Sequence, residues 1–127
     1  MNNLYKLLAF LCLVFVTSSL SAQTHPAYVS PDGLITLDNT TADVYPEYVA
    51  DISKLGLTSF LDAQHYFQKY IDRTSTRGIE YIFDFANQKM YVRIDVRNQF
   101  LVPLSYGQPI TVNNFNDVLR MIYLGQI

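Results

Sequence analysis

Apolar and polar positions alternate most regularly over residues 79–96. Apolar side chains occupy every second position over 79–85 and again over 90–96, which is the period of a half-buried β-strand. The intervening residues 86–89 can form a short turn, so the pattern predicts an antiparallel hairpin. On its second strand, the face opposite the apolar one is expected to carry Tyr91, Arg93, Asp95 and Arg97.

Two other segments have apolar residues at helical spacing. The clearer one is 60–72, where Ser59 followed by Asp62 resembles a capping box at the first turn. The second is 114–124, for which Gly125 is expected to form the C-cap. The pattern therefore predicts one helix before the hairpin and one after it.

The remaining segments have weaker patterns. Residues 23–33 are rich in turn formers and predict a mobile lead-in. A short strand is predicted over 34–37, and another in the second half of 45–55. A further extended segment at 100–104 contains Pro103, which favours a sheet edge. The order strand, helix, strand, strand, helix predicts an α+β fold of ferredoxin-like split βαβ type, with a small antiparallel sheet and two helices on one face.

The first 22 of the 127 residues have the features of a secretory signal peptide. Lys6 gives a positive start, an unbroken apolar run follows over 7–16, and small residues precede Gln23. The run is too short to cross a bilayer, which needs about 20 residues in a helix. We expect export to the periplasm or the extracellular space, without stable membrane insertion after the signal is removed. Three parts are expected: a signal peptide (1–22), an N-terminal extension with a short strand (23–44) and an α+β domain (45–127).

Cysteine content and charge exclude several classes of function. The single cysteine, Cys12, lies in the predicted signal peptide. The processed chain is therefore expected to have no disulfide, thiolate nucleophile or cysteine-ligated metal. Nine basic and eleven acidic residues give a formal net charge of −2, and the basic residues are dispersed. This distribution argues against a nucleic-acid partner.

The segment 54–62 resembles the first loop of heavy-metal-associated domains. That family carries Gly-Met-Thr-Cys-x-x-Cys between its first strand and first helix. Here Leu57 stands at the Met position, Ser59 at the first Cys and Asp62 at the second. The hairpin segment 83–92 and the last helix also have counterparts in the family. The resemblance implies the ferredoxin-like fold of that family.

Three features depart from the family's pattern, which the chain resembles over about 49–124, and the first is the long segment 98–109 between the hairpin and the last helix. Both thiolate ligands are replaced, and soft ions such as copper(I) need thiolate or thioether ligands. Soft-metal binding is therefore not implied. The sequence after the last helix, up to Ile127, also leaves no room for the usual fourth strand. We expect residues 34–38 or 100–104 to cover that sheet edge instead.

The leading functional hypothesis is a non-catalytic protein-interaction module. It would bind an envelope or secreted protein through a sheet edge or a tyrosine-rich surface, since tyrosine is enriched at interfaces. Tyrosines that fill the margins of a small sheet are the competing interpretation. The candidate surface residues are Tyr45, Tyr48, Tyr91 and Tyr106.

Two other hypotheses remain. The alternative function is a small-ligand or metal-ion carrier that uses the loop Gly56–Asp62. An enzyme would require a concave pocket that gathers Asp84, Asp95 and His65. The sequence contains no Ser/His/Asp signature, phosphate-binding glycine loop or metal-ligand cluster, so no cofactor and no catalytic residue is assigned.

Overall fold

A computed structural model describes residues 24–96 and 110–127 of the chain. The predicted signal peptide, the segment 100–104, Arg97 and Tyr106 lie outside the described residues. The strands are β1 (Pro26–Val29), β2 (Ile35–Leu37), β3 (Glu47–Asp51), β4 (Ile79–Asp84) and β5 (Lys89–Ile94). The α-helices are α1 (Phe60–Tyr66), α2 (Gln68–Thr74) and α3 (Val112–Tyr123), and single 3-10 turns span Ser53–Leu55 and Ser75–Arg77.

The five strands form one mixed sheet in the order β2-β1-β3-β5-β4. β5 pairs antiparallel with β3 and with β4, and β1 pairs antiparallel with β2. β1 and β3, however, are parallel. The expectation of an entirely antiparallel sheet is therefore wrong for this pair of strands.

The predicted mobile lead-in at 23–33 is also wrong, because β1 forms there. Ala27 is buried and Val29 packs against the core, while Tyr28 between them faces solvent. Pro26 is the first residue of the strand, a position where proline is tolerated. β1 covers the edge of β3 that 34–38 or 100–104 was expected to cover, and β2 lies one strand further out.

The helices pack on one face of the sheet and make a two-layer α+β fold. A single hydrophobic core joins the layers. The sheet contributes Tyr48, Ala50, Met90 and Val92, among others, and the helices contribute Ala63, Phe67, Phe115, Leu119 and Ile122. The other face of the sheet carries the exposed side chains of β3, β4 and β5, so it is not covered by these helices.

The predicted helix 60–72 is divided into α1 and α2 at Phe67. This residue has φ −100° and ψ 18°, and its carbonyl oxygen accepts from the N–H groups of both Tyr70 and Ile71 at 3.0 Å. Helical hydrogen bonding therefore restarts at Phe67, whose side chain is fully buried. The predicted start is confirmed, because Asp62 N–H donates to Ser59 Oγ at 3.1 Å.

The predicted hairpin and last helix are confirmed, with boundaries that differ by one or two residues. α3 begins two residues early because Thr111 Oγ1 accepts from Asn114 N–H at 3.2 Å and caps the helix. At the other end Gly125 has φ 72°. Gly125 N–H donates to Ile122 O at 3.1 Å and Gln126 N–H to Met121 O at 2.8 Å, which is a Schellman C-cap.

The strand predicted in the second half of 45–55 lies earlier, as β3. Its end is set by the 3-10 turn at Ser53–Leu55, which Gly56 terminates with φ 68°. The left-handed backbone at Gly56 turns the chain out of the sheet toward α1.

Candidate functional site

The candidate tyrosines do not form one surface among the described residues. Tyr48 is only 1% exposed, so its expected exposure is wrong. It pairs with Val92 across β3 and β5 on the helix-covered face of the sheet. Its hydroxyl accepts from Tyr45 N–H at 3.1 Å, and burial raises the pKa of Tyr48.

The other two described candidates are both half-buried; Tyr45 precedes β3, and Tyr91 lies within β5. Tyr45 stacks on His25, with ring centroids 3.6 Å apart and planes 4° from parallel. Tyr91 lies opposite Val49 on the solvent face, the reverse of the face that holds Tyr48. Tyr106 lies outside the described residues. The tyrosines thus behave largely as margin-filling residues of the sheet.

The loop Gly56–Asp62 is occupied by helix capping. Ser59 Oγ accepts from the Asp62 N–H, and Asp62 Oδ2 accepts from Thr58 Oγ1 at 3.3 Å. The two positions that correspond to the family's cysteines therefore hold the start of α1. Across residues 24–96 and 110–127, no group of three or more His, Cys, Asp or Glu residues could hold a metal ion.

The three residues considered for catalysis are not gathered. Asp84 lies beside the hairpin turn, opposite Lys89, whereas Asp95 lies beyond the other end of β5. Asp95 is six positions after Lys89, which is about 20 Å along an extended strand. Asp84 instead accepts from Asn87 Nδ2 at 2.8 Å, and this bond is the main cause of its lowered pKa. His65 lies on the exposed surface of α1.

The outer edge of β2 is closed by side chains. The backbone groups of Ile35 and Leu37 point away from β1. Ile35 N–H donates to Tyr70 Oη at 3.0 Å. Leu37 N–H donates to Asn116 Oδ1 at 2.8 Å, and Asn116 Nδ2 donates to Leu37 O at 3.0 Å. The Asn116 amide thus makes the pair of hydrogen bonds that a neighbouring strand would make, and it blocks strand addition at this edge.

The outer edge of β4 has no such cover from the part of the chain that the structure describes. β4 is last in the strand order and pairs with β5 alone. In an antiparallel pair, only every second residue of a strand bonds to the neighbouring strand. Asp95 N–H donates to Gly78 O at 2.8 Å, so Gly78 and every second residue after it face β5. The backbone N–H and C=O groups of Ile79, Tyr81 and Phe83 therefore face outward.

The composition of β4 protects this edge only through its two carboxylates, Glu80 and Asp84. Its sequence is Ile-Glu-Tyr-Ile-Phe-Asp, with neither of the residues, lysine and proline, that commonly prevent strand addition. Four of the six residues are aromatic or β-branched, types that favour strands. β4 is therefore suited to pair with a second strand as well as with β5.

A groove of about 810 Å³ runs along the β4 edge, between the strand and the helices α1 and α2. Phe60 is 62% exposed and meets the ring of Phe83 edge-on, with centroids 6.3 Å apart. Phe83 also stacks on the buried Phe67 at 5.8 Å, which fixes its ring. The side chains that line the groove include Phe60, Gln64, Ile71, Ser75, Tyr81 and Phe83.

The solvent face of β4 is acidic. Glu80 and Asp84 lie on this face on either side of Ile82. Their neighbours across the ladder are Arg93 and Lys89 of β5, but the Arg93 Nε is directed to Glu47 Oε2 on β3, at 3.0 Å. Both carboxylates remain on the solvent face of this edge strand, where the Asp84 oxygens also accept from Asn87 at the hairpin turn. Among the described residues, the cations opposite them lie on the β5 side.

A second cavity is apolar and small. Its volume is about 80 Å³, and Ile79, Phe115, Leu119 and Ile122 line it together with Arg73 and others. An apolar cavity of about 150 Å³ can hold benzene, and this one has about half that volume. We therefore take the β4 edge, and not this cavity, as the candidate site.

Sequence reasoning missed the two residues that close the β2 edge. Tyr70 falls within the predicted helix 60–72, but the partner of its hydroxyl lies 35 residues away. Asn116 gave one signal, an amide within an otherwise apolar helical face. No local pattern connects either residue to β2.

Comparison of the chain with models of protein families, with curated proteins and with solved structures finds no match. Within the described ranges, no helix has the length and apolar character required to span a membrane. The functional assignment therefore depends on the residues themselves.

Proposed function

We propose that this chain is an exported, non-catalytic protein-interaction module of the cell envelope or the extracellular space. In this proposal it binds another protein by adding a strand of that partner to the outer edge of β4. The observation that carries the proposal is the difference between the two sheet edges. Side chains of Tyr70 and Asn116 block β2, whereas β4 keeps a row of outward backbone groups beside an exposed aromatic residue.

Strand addition by a partner would explain why the β2 edge is blocked and the β4 edge is not. An uncovered, strand-prone edge is a liability that proteins usually block, and the described residues block only one of the two sheet edges. Main-chain hydrogen bonds at such an edge supply affinity, and side-chain pockets beside it supply specificity. The groove at Phe60 and Phe83 is placed to take alternate side chains of the added strand.

The export part of the proposal is supported by the sequence of residues 1–22. The related proposal of a ferredoxin-like, heavy-metal-associated-like domain is supported by the order β3, α1–α2, β4, β5, α3 and by the strand arrangement β3-β5-β4. The parallel β1 takes the place of a fourth strand. The capping bonds at Ser59 and Asp62 favour a protein-interaction module over a metal-ion carrier, because they engage the two residues that would bind the ion.

Site-specific photocrosslinking in the native cell tests the proposal. A photoreactive amino acid is placed at Ile82, in the centre of the solvent face of β4. The matched control places it at Thr36, in the centre of the solvent face of β2. We expect one specific protein adduct from position 82 and none from position 36. Equal adducts from both positions, or none from either, would contradict binding at the β4 edge.

A further inference from the structure

The charge pattern of β4 carries information about the strand that it binds. Side chains of an added strand face the same sides of the sheet as the residues directly opposite them. On the helix side they would meet Ile79, Tyr81 and Phe83 and enter the groove. On the solvent side they would meet Glu80, Ile82 and Asp84.

From this arrangement we infer that the partner of β4 is an extended five-residue segment with a basic residue at each end and three apolar residues between them, in the order basic, apolar, apolar, apolar, basic. The basic residues stand opposite Glu80 and Asp84, which are about 13 Å apart along the strand. The central residue lies on Ile82, and the two between enter the groove. This inference rests on the proposed function, since it specifies what the open edge binds.

The inner neighbour of β4 already has this pattern. β5 reads Lys-Met-Tyr-Val-Arg-Ile, with Lys89 opposite Asp84 and Arg93 opposite Glu80. Met90 and Val92 enter the core between them. β4 is thus matched on one side to a strand of this class. Because the pattern is the same in both directions, it suits parallel and antiparallel addition alike.

A second copy of this chain is a poorer occupant. Antiparallel pairing of two β4 strands centred on Ile82 would place Glu80 of each copy opposite Asp84 of the other. Like charges directly opposite one another destabilise a strand pair. The charge pattern therefore favours a basic partner over self-association through this edge.

The test uses the full chain, expressed with its leader and purified as the cell processes it. The probe is a labelled peptide with the β5 sequence, Lys-Met-Tyr-Val-Arg-Ile, capped at both ends and followed by fluorescence anisotropy. Glu-Met-Tyr-Val-Glu-Ile is the charge-reversed control. Two further peptides carry backbone N-methyl groups on alternate residues, the first on residues 1, 3 and 5 and the second on residues 2, 4 and 6. In an added strand, only one of these two sets of N–H groups faces β4 and can donate hydrogen bonds to it.

We expect the basic peptide to bind and the charge-reversed peptide to bind at least tenfold more weakly. One N-methylated peptide should lose binding and the other retain it. The variant Glu80→Gln/Asp84→Asn keeps the side-chain shapes and should weaken the basic peptide about tenfold, as expected for the loss of two opposite-charge pairs. The matched variant Thr36→Gln, on the closed edge, should leave binding unchanged.

The outcomes separate the partner class from the proposed function. Equal binding of the basic and charge-reversed peptides, both sensitive to alternate N-methylation, would overturn the basic partner and leave strand addition intact. Binding that both N-methylated peptides retain would overturn strand addition itself. The same inference fails if no peptide binds, or if light scattering shows a dimer that Glu80→Gln/Asp84→Asn strengthens, which would identify a second copy as the occupant.

Discussion

Removal of the Asn116 side-chain amide is expected to open the closed edge of the sheet. Asn116→Ala deletes two hydrogen bonds to Leu37, at 2.8 and 3.0 Å, in a partly buried setting. A net hydrogen bond contributes about 1 kcal/mol. We therefore expect the free energy of unfolding to fall by about 2 kcal/mol through these contacts.

The matched control is Asn113→Ala in the same helix. Asn113 makes one long, exposed contact, in which Asn39 Nδ2 donates to its Oδ1 at 3.4 Å. Both substitutions gain the helix propensity of alanine, up to about 0.7 kcal/mol, so this gain largely cancels between them. Asn116→Ala is expected to be less stable than Asn113→Ala by about 2 kcal/mol.

Urea denaturation followed by circular dichroism measures this difference, provided that the dependence on urea is the same for both variants. Light scattering of the same samples adds a second readout. Exposure of the Leu37 backbone should make Asn116→Ala self-associate more than wild type, since an unblocked edge is a template for strand pairing. If the two variants are equally stable and equally associated, the amide does not substitute for a strand and the reasoning is refuted.

Three further predictions concern the core and the helix ends. Burial raises the pKa of Tyr70 to about 12 from its ordinary 10. The contribution of Tyr70 to stability is therefore complete below pH 10 and is lost as pH rises through about 12. In urea titrations, Tyr70→Phe should make the fall in the free energy of unfolding over this pH range shallower. Thr74→Val removes a hydroxyl that donates to Tyr70 O at 2.6 Å and is hydrogen-bonded to the Tyr81 hydroxyl at 3.0 Å. It should cost about 1–3 kcal/mol, of which the added Tyr81→Phe should restore a part in a double-mutant cycle. Gly125→Ala forces a side chain into φ 72° and should cost about 1 kcal/mol in thermal denaturation; Gly125→Asn should cost less, and equal losses would count against strain at this C-cap.

The elements that the sequence predicted correctly are those with local signals. The hairpin follows from a period of two over 79–96. The start of α1 follows from Ser59 and Asp62, and the end of α3 from Gly125. In each case the residues that form the structure are within a few positions of one another, so their chemistry can be read along the chain.

The errors concern contacts that are distant in sequence. β1 was missed because Pro26 and the turn formers after it obscure a strand of four residues that is stabilised by pairing with β2 and β3. Tyr48 was expected at the surface because tyrosine has a polar hydroxyl, but the hydroxyl finds Tyr45 N–H inside the fold. The closure of β2 by Asn116 joins residues 79 positions apart, which no local pattern predicts.

Residue-resolved amide hydrogen exchange tests the central claim most directly, because it reports on each edge group separately. On β4, the N–H groups of Glu80 and Ile82 bond to β5 and should exchange slowly, whereas those of Tyr81 and Phe83 should exchange fast. On β2, the N–H groups of Ile35 and Leu37 should be slow, because Tyr70 and Asn116 accept from them. Protection of the Tyr81 and Phe83 amides in the free protein as strong as that of Glu80 and Ile82 would show that the β4 edge is covered, and would contradict the proposed site.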